Sequence, residues 1–349
     1  MDARGFWKGR RVFVTGHTGF KGAWLCKILE YVGADVTGYA LAPEDKTNLF
    51  NICKPRMRSV IGDIRDFDAL LDAYKSASPD AVIHMAAQPL VLRGYREPRY
   101  TYETNVMGTI NLLECARLWD SAGSILNVTT DKVYFNRETE RGYREEETLD
   151  GHDPYANSKS CSELVTASYI RSFFEKTLTA VSTARSGNVI GGGDFAENRI
   201  IPDCAKAAAA GERIKIRNPQ SVRPYQHVLD TLFGYLLIMQ RQYKDYFLAG
   251  SYNIGPDTDG CATSGELADM FCEAWGDGAG WDHIPTENPH ESGLLKLNCD
   301  KIKERLGWAP RWDIKASVTA TARWYKAYYG DGANNIMNDQ IEMFLEPAL

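Results

Sequence analysis

Tyr155 and Lys159 stand four residues apart in Tyr155-Ala156-Asn157-Ser158-Lys159, a spacing that puts both side chains on one face of a helix. A phenol titrates near 10 and is a poor base at neutral pH. An ammonium beside it, and a cationic nicotinamide ring, stabilise phenolate and lower that value. The pair can then accept the proton of an alcohol while hydride leaves the same carbon. The sequence also offers a place for the hydride acceptor. In Val14-Thr15-Gly16-His17-Thr18-Gly19-Phe20-Lys21-Gly22 the glycines fall at G-x-x-G-x-x-G, after a β-branched run and before a helical pattern. A strand, tight turn and helix in that order bring free backbone N–H groups to a pyrophosphate.

A second group of residues asks for different chemistry. Asn127-Val128-Thr129-Thr130-Asp131-Lys132-Val133-Tyr134 reads as a strand end followed by a turn. One or both threonines are placed to hydrogen-bond a substrate hydroxyl. Asp131 and Lys132 add an acid and a base that a plain dehydrogenase does not need, whereas elimination of water needs both. As a base, lysine must first have its pKa lowered by desolvation or a neighbouring cation. Further on, the stretch Ile214 to Arg223 gathers Lys215, Arg217 and Arg223 in an otherwise acidic chain, and Arg199 precedes it. Forked guanidinium donors suit a diphosphate. Asn188 suits a diphosphate or sugar oxygen, and His290-Glu291 either closes the pocket or caps a loop.

The elements that must hold these groups follow from periodicity. Strands are expected at Arg11 to Gly16, Asp35 to Tyr39, Ser59 to Ile61, Ala81 to Met85, Ser124 to Val128 and Leu178 to Thr183. Helical patterns fall at Gly19 to Val32, about 66–77, about 100–119 and Tyr155 to Phe174, the last opened by Asp153-Pro154. Such alternation predicts a Rossmann-type α/β fold with a doubly wound parallel sheet. Residues 1–186 form the expected dinucleotide domain. Residues 187–349, punctuated by Pro and by a flexible turn at Gly191-Gly192-Gly193, form a smaller substrate lobe with some segments returning to the sheet. The second strand ends without the acidic residue that commonly binds ribose hydroxyls; Glu44 and Asp45 come later. Asp63 fits either an adenine contact or a helix cap, and His84 a packed core position rather than a ligand.

The 349 residues suffice for about two folding units. Apolar residues at 44% and charged residues at 25% are ordinary for a globular protein. A net charge of −6 gives no electrostatic footprint for nucleic acid. No apolar run reaches the roughly 18 residues of a membrane span, and the first residues are too short an apolar run for a secretory leader. Eight scattered cysteines point to reduced thiols rather than zinc or disulfides. A cytoplasmic enzyme without a metal is expected.

With these residues in view, the chain resembles the nucleotide-sugar dehydratases among the extended short-chain dehydrogenase/reductases, specifically the CDP-glucose 4,6-dehydratases. The resemblance rests on GHTGFKGAWL at 16–25, GDIRD at 62–66, HMAAQPLV at 84–91, TNVMGT at 104–109, TTDKVY at 129–134 and DPYANSK at 153–159. It continues through GNVIGGGDFAENRIIPD at 187–203, IRNPQSVRPYQHVLD at 216–230 and LGWAPRW at 306–312. Relatives acting on dTDP-glucose carry Asp-Glu where this chain has Asp131-Lys132. The resemblance implies NAD, a nucleotide-sugar substrate, a role in deoxysugar biosynthesis of the kind that supplies lipopolysaccharide O-antigen, and a homodimer or higher homo-oligomer built on the helices at about 100–119 and 155–174. It places Gly16, Thr18, Gly19, Phe20, Lys21 and Gly22 on the cofactor. Asp63, Ile64, Ala86, Ala87, Gln88, Asn105 and Thr129 join them, with Tyr155 and Lys159. Thr130, Asp131 and Lys132 complete the catalytic set, and Gln88 also faces the sugar. Asp131 is the expected acid and Lys132 the base or proton carrier. Two rivals make different forecasts. A nucleotide-sugar 4-epimerase shares the fold, NAD and the Tyr/Lys pair but has no use for Asp131-Lys132, and a non-catalytic NAD sensor would not retain Tyr155 and Lys159.

Overall fold

The computed structural model describes residues 3–43, 47–139, 141–197, 199–257, 260–284, 295–330, 332 and 334–345. Seven parallel strands form its central sheet: β1 (Arg11–Thr15), β2 (Asp35–Ala40), β3 (Arg58–Ile61), β4 (Ala81–His84), β5 (Ser124–Val128), β6 (Ala180–Ser186) and β7 (Ser251–Ile254). Their order is β7-β6-β5-β4-β1-β2-β3. The order reverses between β1 and β4, so the crevice for a ligand opens at the carboxyl ends of those two strands. The doubly wound α/β fold is therefore present, and β7 is the late return to the sheet.

Period-two alternation along buried strands produces two cores. Val12, Val14, Ile83, Leu126 and Ala184 point to one face, where α1 (Phe20–Tyr31) packs with Trp24, Leu25 and Leu29. Phe13, Val82, Ile125 and Val181 point to the other, against Leu70 and Tyr74 of α2 (Phe67–Ala77) and Leu112 and Leu113 of α3 (Gly108–Leu118). The expected helix at about 100–119 is built from Pro98–Tyr102, a π-helical turn Glu103–Met107 and α3. A π turn inserts one residue into the helical ladder, commonly at functional sites. Here it turns the Asn105 amide inward, where it accepts from Gln88 N at 2.8 Å and donates to Gln88 O and to Ser158 Oγ.

The helix that carries Tyr155 and Lys159, α4 (Pro154–Ser172), starts with proline at its first position. Asp153 caps it, its carboxylate accepting from Ala156 N at 3.0 Å. β6 runs later than the sequence suggested. Leu178 is 93% exposed, and the strand reaches Ser186 because Arg185 finds a buried partner there.

Beyond β6, three two-stranded pairings form: Val189–Ile190 with Gln226–His227, Val222–Arg223 with Ala262–Thr263, and Ile214–Ile216 with Trp281–His283. Helices α5 (Ile200–Ala209), α7 (Ser264–Trp275) and α8 (Ile314–Tyr329) pack around them, while α6 (Val228–Lys244) returns to the central sheet, its Gln242 amide donating to Ser124 and to the carbonyls of Ile125 and Ala180. The turn at Gly191–Gly193 is not the flexible one expected. All three glycines are buried, Trp24 Nε1 donates to Gly192 O at 2.9 Å, and a Cβ on Gly192 would overlap the Trp324 ring. Glycine is needed there for close packing.

Candidate active site

At the switch point the glycine loop has little freedom of composition. Gly16 has φ +78°, and a Cβ there would stand 2.7 Å from Ala86 N; a Cβ on Gly22 would overlap Gly16 O. Gly19 is the extended N-cap of α1, so the helix presents its first N–H groups to the crevice. Thr15 locks the two strand ends together: its Oγ1 accepts from Met85 N and Ala86 N at 3.1 and 3.2 Å and bonds His84 Nδ1 at 2.7 Å. His84 is packed core, as its sequence context suggested. Its Nε2 meets Thr109 Oγ1, and burial pulls its pKa down to about 3, keeping it neutral.

Several expected cofactor residues prove to hold the cradle itself. The Thr18 hydroxyl donates to Leu41 O at 2.9 Å. Gln88 is buried, its amide donating to Thr101 and accepting from Leu90 N, so its side chain is engaged within the protein rather than offered to a sugar. Asn105 is the clamp already described. Asp63 is held by the Arg65 fork, which keeps its carboxyl below the usual range, while the helix cap nearby is Asp66. The Ile64 side chain is buried under Gly108.

Where the missing ribose acid would stand, beside β2, lies His17, a residue that no motif singles out. Its ring covers Gly38, bonds Ser59 Oγ at 2.7 Å and meets Phe50 edge-on at 5.1 Å. Burial pulls it down to about 4.

The redox pair sits where α4 crosses the ends of β4 and β5. Lys159 Nζ donates to Val128 O at 3.0 Å; burial first, and then the charge of Lys21, bring it down to about 8, against the pull of Glu163. Burial pushes the Tyr155 phenol up, to about 12, against a hydrogen bond with Thr130 and the charge of Arg199. The phenol therefore moves opposite to the expected depression in the protein alone. Burial outweighs the neighbouring charges, and a bound cation such as nicotinamide has to supply the remainder.

Thr130 links this pair to the acid. Its Oγ1 donates to Asp131 Oδ1 at 3.0 Å, and the same hydroxyl works against the rise of the Tyr155 phenol. Asp131 is 3% exposed. Burial raises its pKa, opposed by Lys132, Thr130, Arg223 and Lys21, and a carboxyl biased toward its neutral form is a proton donor. Lys132 occupies the same short turn, Asp131–Val133, and is half-buried. The other threonine turns away: Thr129 Oγ1 donates to Glu163 Oε1 at 2.5 Å. Of the two candidates, only Thr130 has its hydroxyl in the cluster.

Lys21 leaves the glycine loop to donate to Ser186 Oγ and Tyr235 OH at 3.1 and 3.3 Å. Its ammonium, brought down to about 8 by burial and by Arg199, lies in the field of Asp131. Arg199 pairs with Asp194 at 2.8 Å beside Tyr155, and Arg223 lies within the field of Asp131. The fold thus gathers Tyr155, Lys159, Thr130, Asp131, Lys21, Arg199 and Arg223. Arg217 is exposed and faces Asp203 instead. Asn188 is half-buried, its carbonyl accepting from Gln226 N. His290 and Glu291, with Glu44 and Asp45, lie outside the described residues.

The family model for GDP-mannose 4,6 dehydratase matches residues 13–321. The chain belongs to this family. Within it, the chain is 45% identical over 337 residues, 94% of each protein, to the CDP-glucose 4,6-dehydratase of Salmonella typhimurium. It is 30% identical to the dTDP-glucose 4,6-dehydratase of Streptomyces antibioticus, over 78% of this chain and 77% of that one. Among solved structures, the dTDP-glucose 4,6-dehydratase DesIV of Streptomyces venezuelae, with NAD and TYD bound, superposes with a TM-score of 0.78 at 27% identity, covering 92% of this chain and 98% of that one. An epimerase from Methanothermobacter thermautotrophicus superposes at 0.81 with 22% identity over 97% of both chains, a likeness of fold. The glycine loop, Tyr155, Lys159 and Asp131 therefore stand together at the carboxyl ends of the central strands in this family member. Among the described residues, no helix is long and apolar enough to cross a membrane and no cluster of His, Cys, Asp or Glu is built to hold a metal.

Proposed function

We propose that the protein converts CDP-glucose to CDP-4-keto-6-deoxyglucose and water, using NAD. The observation that carries this reading is the cluster in which the buried Asp131 accepts from the Thr130 hydroxyl at 3.0 Å and both act on the Tyr155 phenol: the group proposed to remove a hydroxyl proton and the group proposed to protonate a leaving hydroxyl lie together. The 45% identity to a CDP-glucose 4,6-dehydratase favours the cytidine sugar.

The glycine turn fits a dinucleotide, since a Cβ at Gly16 or Gly22 would fill it. Held by the glycine turn at Gly16, Gly19 and Gly22, NAD would supply the hydride acceptor for oxidation at C4 and the hydride donor for reduction at C6. Tyr155 takes the C4 hydroxyl proton, with the Lys159 ammonium stabilising the phenolate. The resulting ketone acidifies the C5 hydrogen. Lys132 removes that proton while Asp131 protonates the departing C6 hydroxyl, so one water leaves. A proton then returns to C5 as C6 is reduced, and the 4-keto-6-deoxy sugar differs from the substrate by one water with no net oxidation. Lys21, Arg199 and Arg223 supply the positive charge for the diphosphate and for the acid's surroundings, with Asn188 and His290 as further candidate sugar contacts.

Residues 1–186 act as the dinucleotide domain and 187–349 as the substrate lobe, β7 being lent back to the sheet. The enzyme works in the cytoplasm as a homodimer. Met107 on the π turn, Leu118 at the end of α3, Leu164 in the middle of α4 and Phe173 just after it are all more than 40% exposed, apolar surface suited to pairing with a copy. Sedimentation showing only monomer would remove the dimer. Incubation with CDP-glucose, dTDP-glucose and GDP-mannose, followed by mass detection, tests the activity: loss of one water from CDP-glucose is expected. Retention of the C6 oxygen in all three would sink the dehydratase reading and leave the epimerase.

A further inference from the structure

Glu163 lies one helical turn beyond Lys159 on the face of α4 that also carries Tyr155. With Arg185 of β6 it forms a buried ion pair, side chains 2% and 3% exposed. The pair is a true fork: Arg185 Nε donates to Glu163 Oε1 at 3.0 Å and Nη2 to Oε2 at 2.9 Å. None of the chemistry described above uses it. A buried ion pair is a weak source of stability, because the desolvation of both charges offsets their attraction. Its other bonds indicate what it does.

The two members hold opposite ends of one turn. Glu163 Oε1 accepts from the Thr129 hydroxyl at 2.5 Å, and Oε2 accepts from Thr183 at 2.7 Å. Arg185 Nη1 donates to Tyr134 OH and to Glu145 O, both at 2.8 Å. Thr129 is the residue after β5, and Tyr134 the residue after the Asp131–Val133 turn. Tyr134 OH donates in turn to Asn253 Oδ1 of β7 at 2.7 Å. The segment carrying Thr130, Asp131 and Lys132 is thereby pinned at its entry by the acid and at its exit by the base of a single fork. The same helix that sets Tyr155 and Lys159 sets the fork.

We propose that the Glu163–Arg185 fork is a positioning element for the elimination step, holding the Asp131–Lys132 turn in register with the redox pair. This rests on the dehydratase reading for its chemistry and on geometry alone for its mechanics. It touches no reacting atom. Thr129 and Tyr134 give gentle ways to test it, since Thr129→Val and Tyr134→Phe each remove one hydroxyl arm and leave the ion pair intact.

Two measurements decide. In single turnovers with the nucleotide hexose that the unaltered enzyme dehydrates, each variant is expected to slow water loss by about 10-fold or more, a displacement effect of a fraction of an ångström, while C4 oxidation stays within about 3-fold. NADH and a 4-keto hexose that retains its C6 oxygen then accumulate. Amide exchange in the free protein, which needs no substrate, is expected to speed up in residues 129–135 and not along α4. Equal loss of both chemical steps, or unchanged exchange at 129–135 in both variants, would overturn the proposal. Should the unaltered enzyme eliminate water from no nucleotide hexose, the activity reading alone fails, and the exchange result still decides whether the fork holds the turn.

Discussion

Gly187→Ala offers a direct probe of the acid. Gly187 follows β6, and its backbone is outside the left-handed region, so alanine can adopt it. The new Cβ would stand 3.0 Å from Asp131 Oδ2 and 3.1 Å from Pro224 Cγ. Ordinary contact begins near 3.4 Å, which obliges the carboxylate, the proline or both to retreat by about 0.4 Å. If a misplacement of about 1 Å costs roughly 100-fold, or about 2.7 kcal/mol, a 0.4 Å retreat costs about 1 kcal/mol and a rate factor of about six. That penalty should fall on loss of the C6 hydroxyl and spare the hydride step at C4, because Tyr155 and Lys159 are positioned by α4. Rapid-quench assays that follow NADH at 340 nm and water loss by mass separate the two steps. Asp131→Asn is the stronger companion: it keeps the shape and the Thr130 contact but has no proton to give, with an expected loss of about 10² to 10⁴. Equal slowing of both steps by Gly187→Ala, or full elimination by Asp131→Asn, would refute Asp131 as the acid.

Other expectations follow from the same geometry. Tyr155→Phe should lower C4 oxidation by about 10² to 10⁴ while leaving nucleotide binding near normal, as equilibrium dialysis with CDP-glucose would show. Lys159 has its pKa brought down to about 8 by burial and Lys21, so its ammonium is intact below that pH and is lost as pH rises through it. The C4 oxidation rate should therefore fall above about pH 8, and a profile flat to pH 10 would contradict a required charge at Lys159. Glu163→Gln removes the one negative charge that opposes this depression and should move that limb to lower pH. Gly16→Ala forces a left-handed backbone and sets a Cβ 2.7 Å from Ala86 N, at a cost of about 1–3 kcal/mol or more. Calorimetry should find NAD binding weakened by at least about 10-fold, and unchanged affinity would count against the glycine turn as the dinucleotide cradle.

What could be read from the sequence was local, and what could not was mutual. The glycine turn and Tyr155-x-x-x-Lys159 carry their geometry within a few residues, because a tight turn and a helical face are set by neighbours in the chain. The sheet was legible for the same reason, each strand being a short β-branched run. β6 was misplaced by two to three residues because its far end is held by Glu163, a partner in α4 that periodicity cannot reveal. Thr129 and Thr130 are adjacent and chemically identical, so only the fold decides which hydroxyl joins the cluster. Glu163 claims the first, which leaves Thr130 between Tyr155 and Asp131. The direction of the Tyr155 shift was unreadable on similar grounds. A neighbouring lysine can be inferred from spacing, but desolvation depends on everything packed around the phenol, and here it prevails. Gln88 and Asn105 show the same limit in another form. Both stand beside the crevice in sequence terms, yet they bond one another's segment, because a π turn that no propensity announces rotates Asn105 inward. Candidates for chemistry are thus easier to nominate from sequence than the residues that hold them, since chemistry restricts residue type at one position whereas support requires only that two distant positions fit.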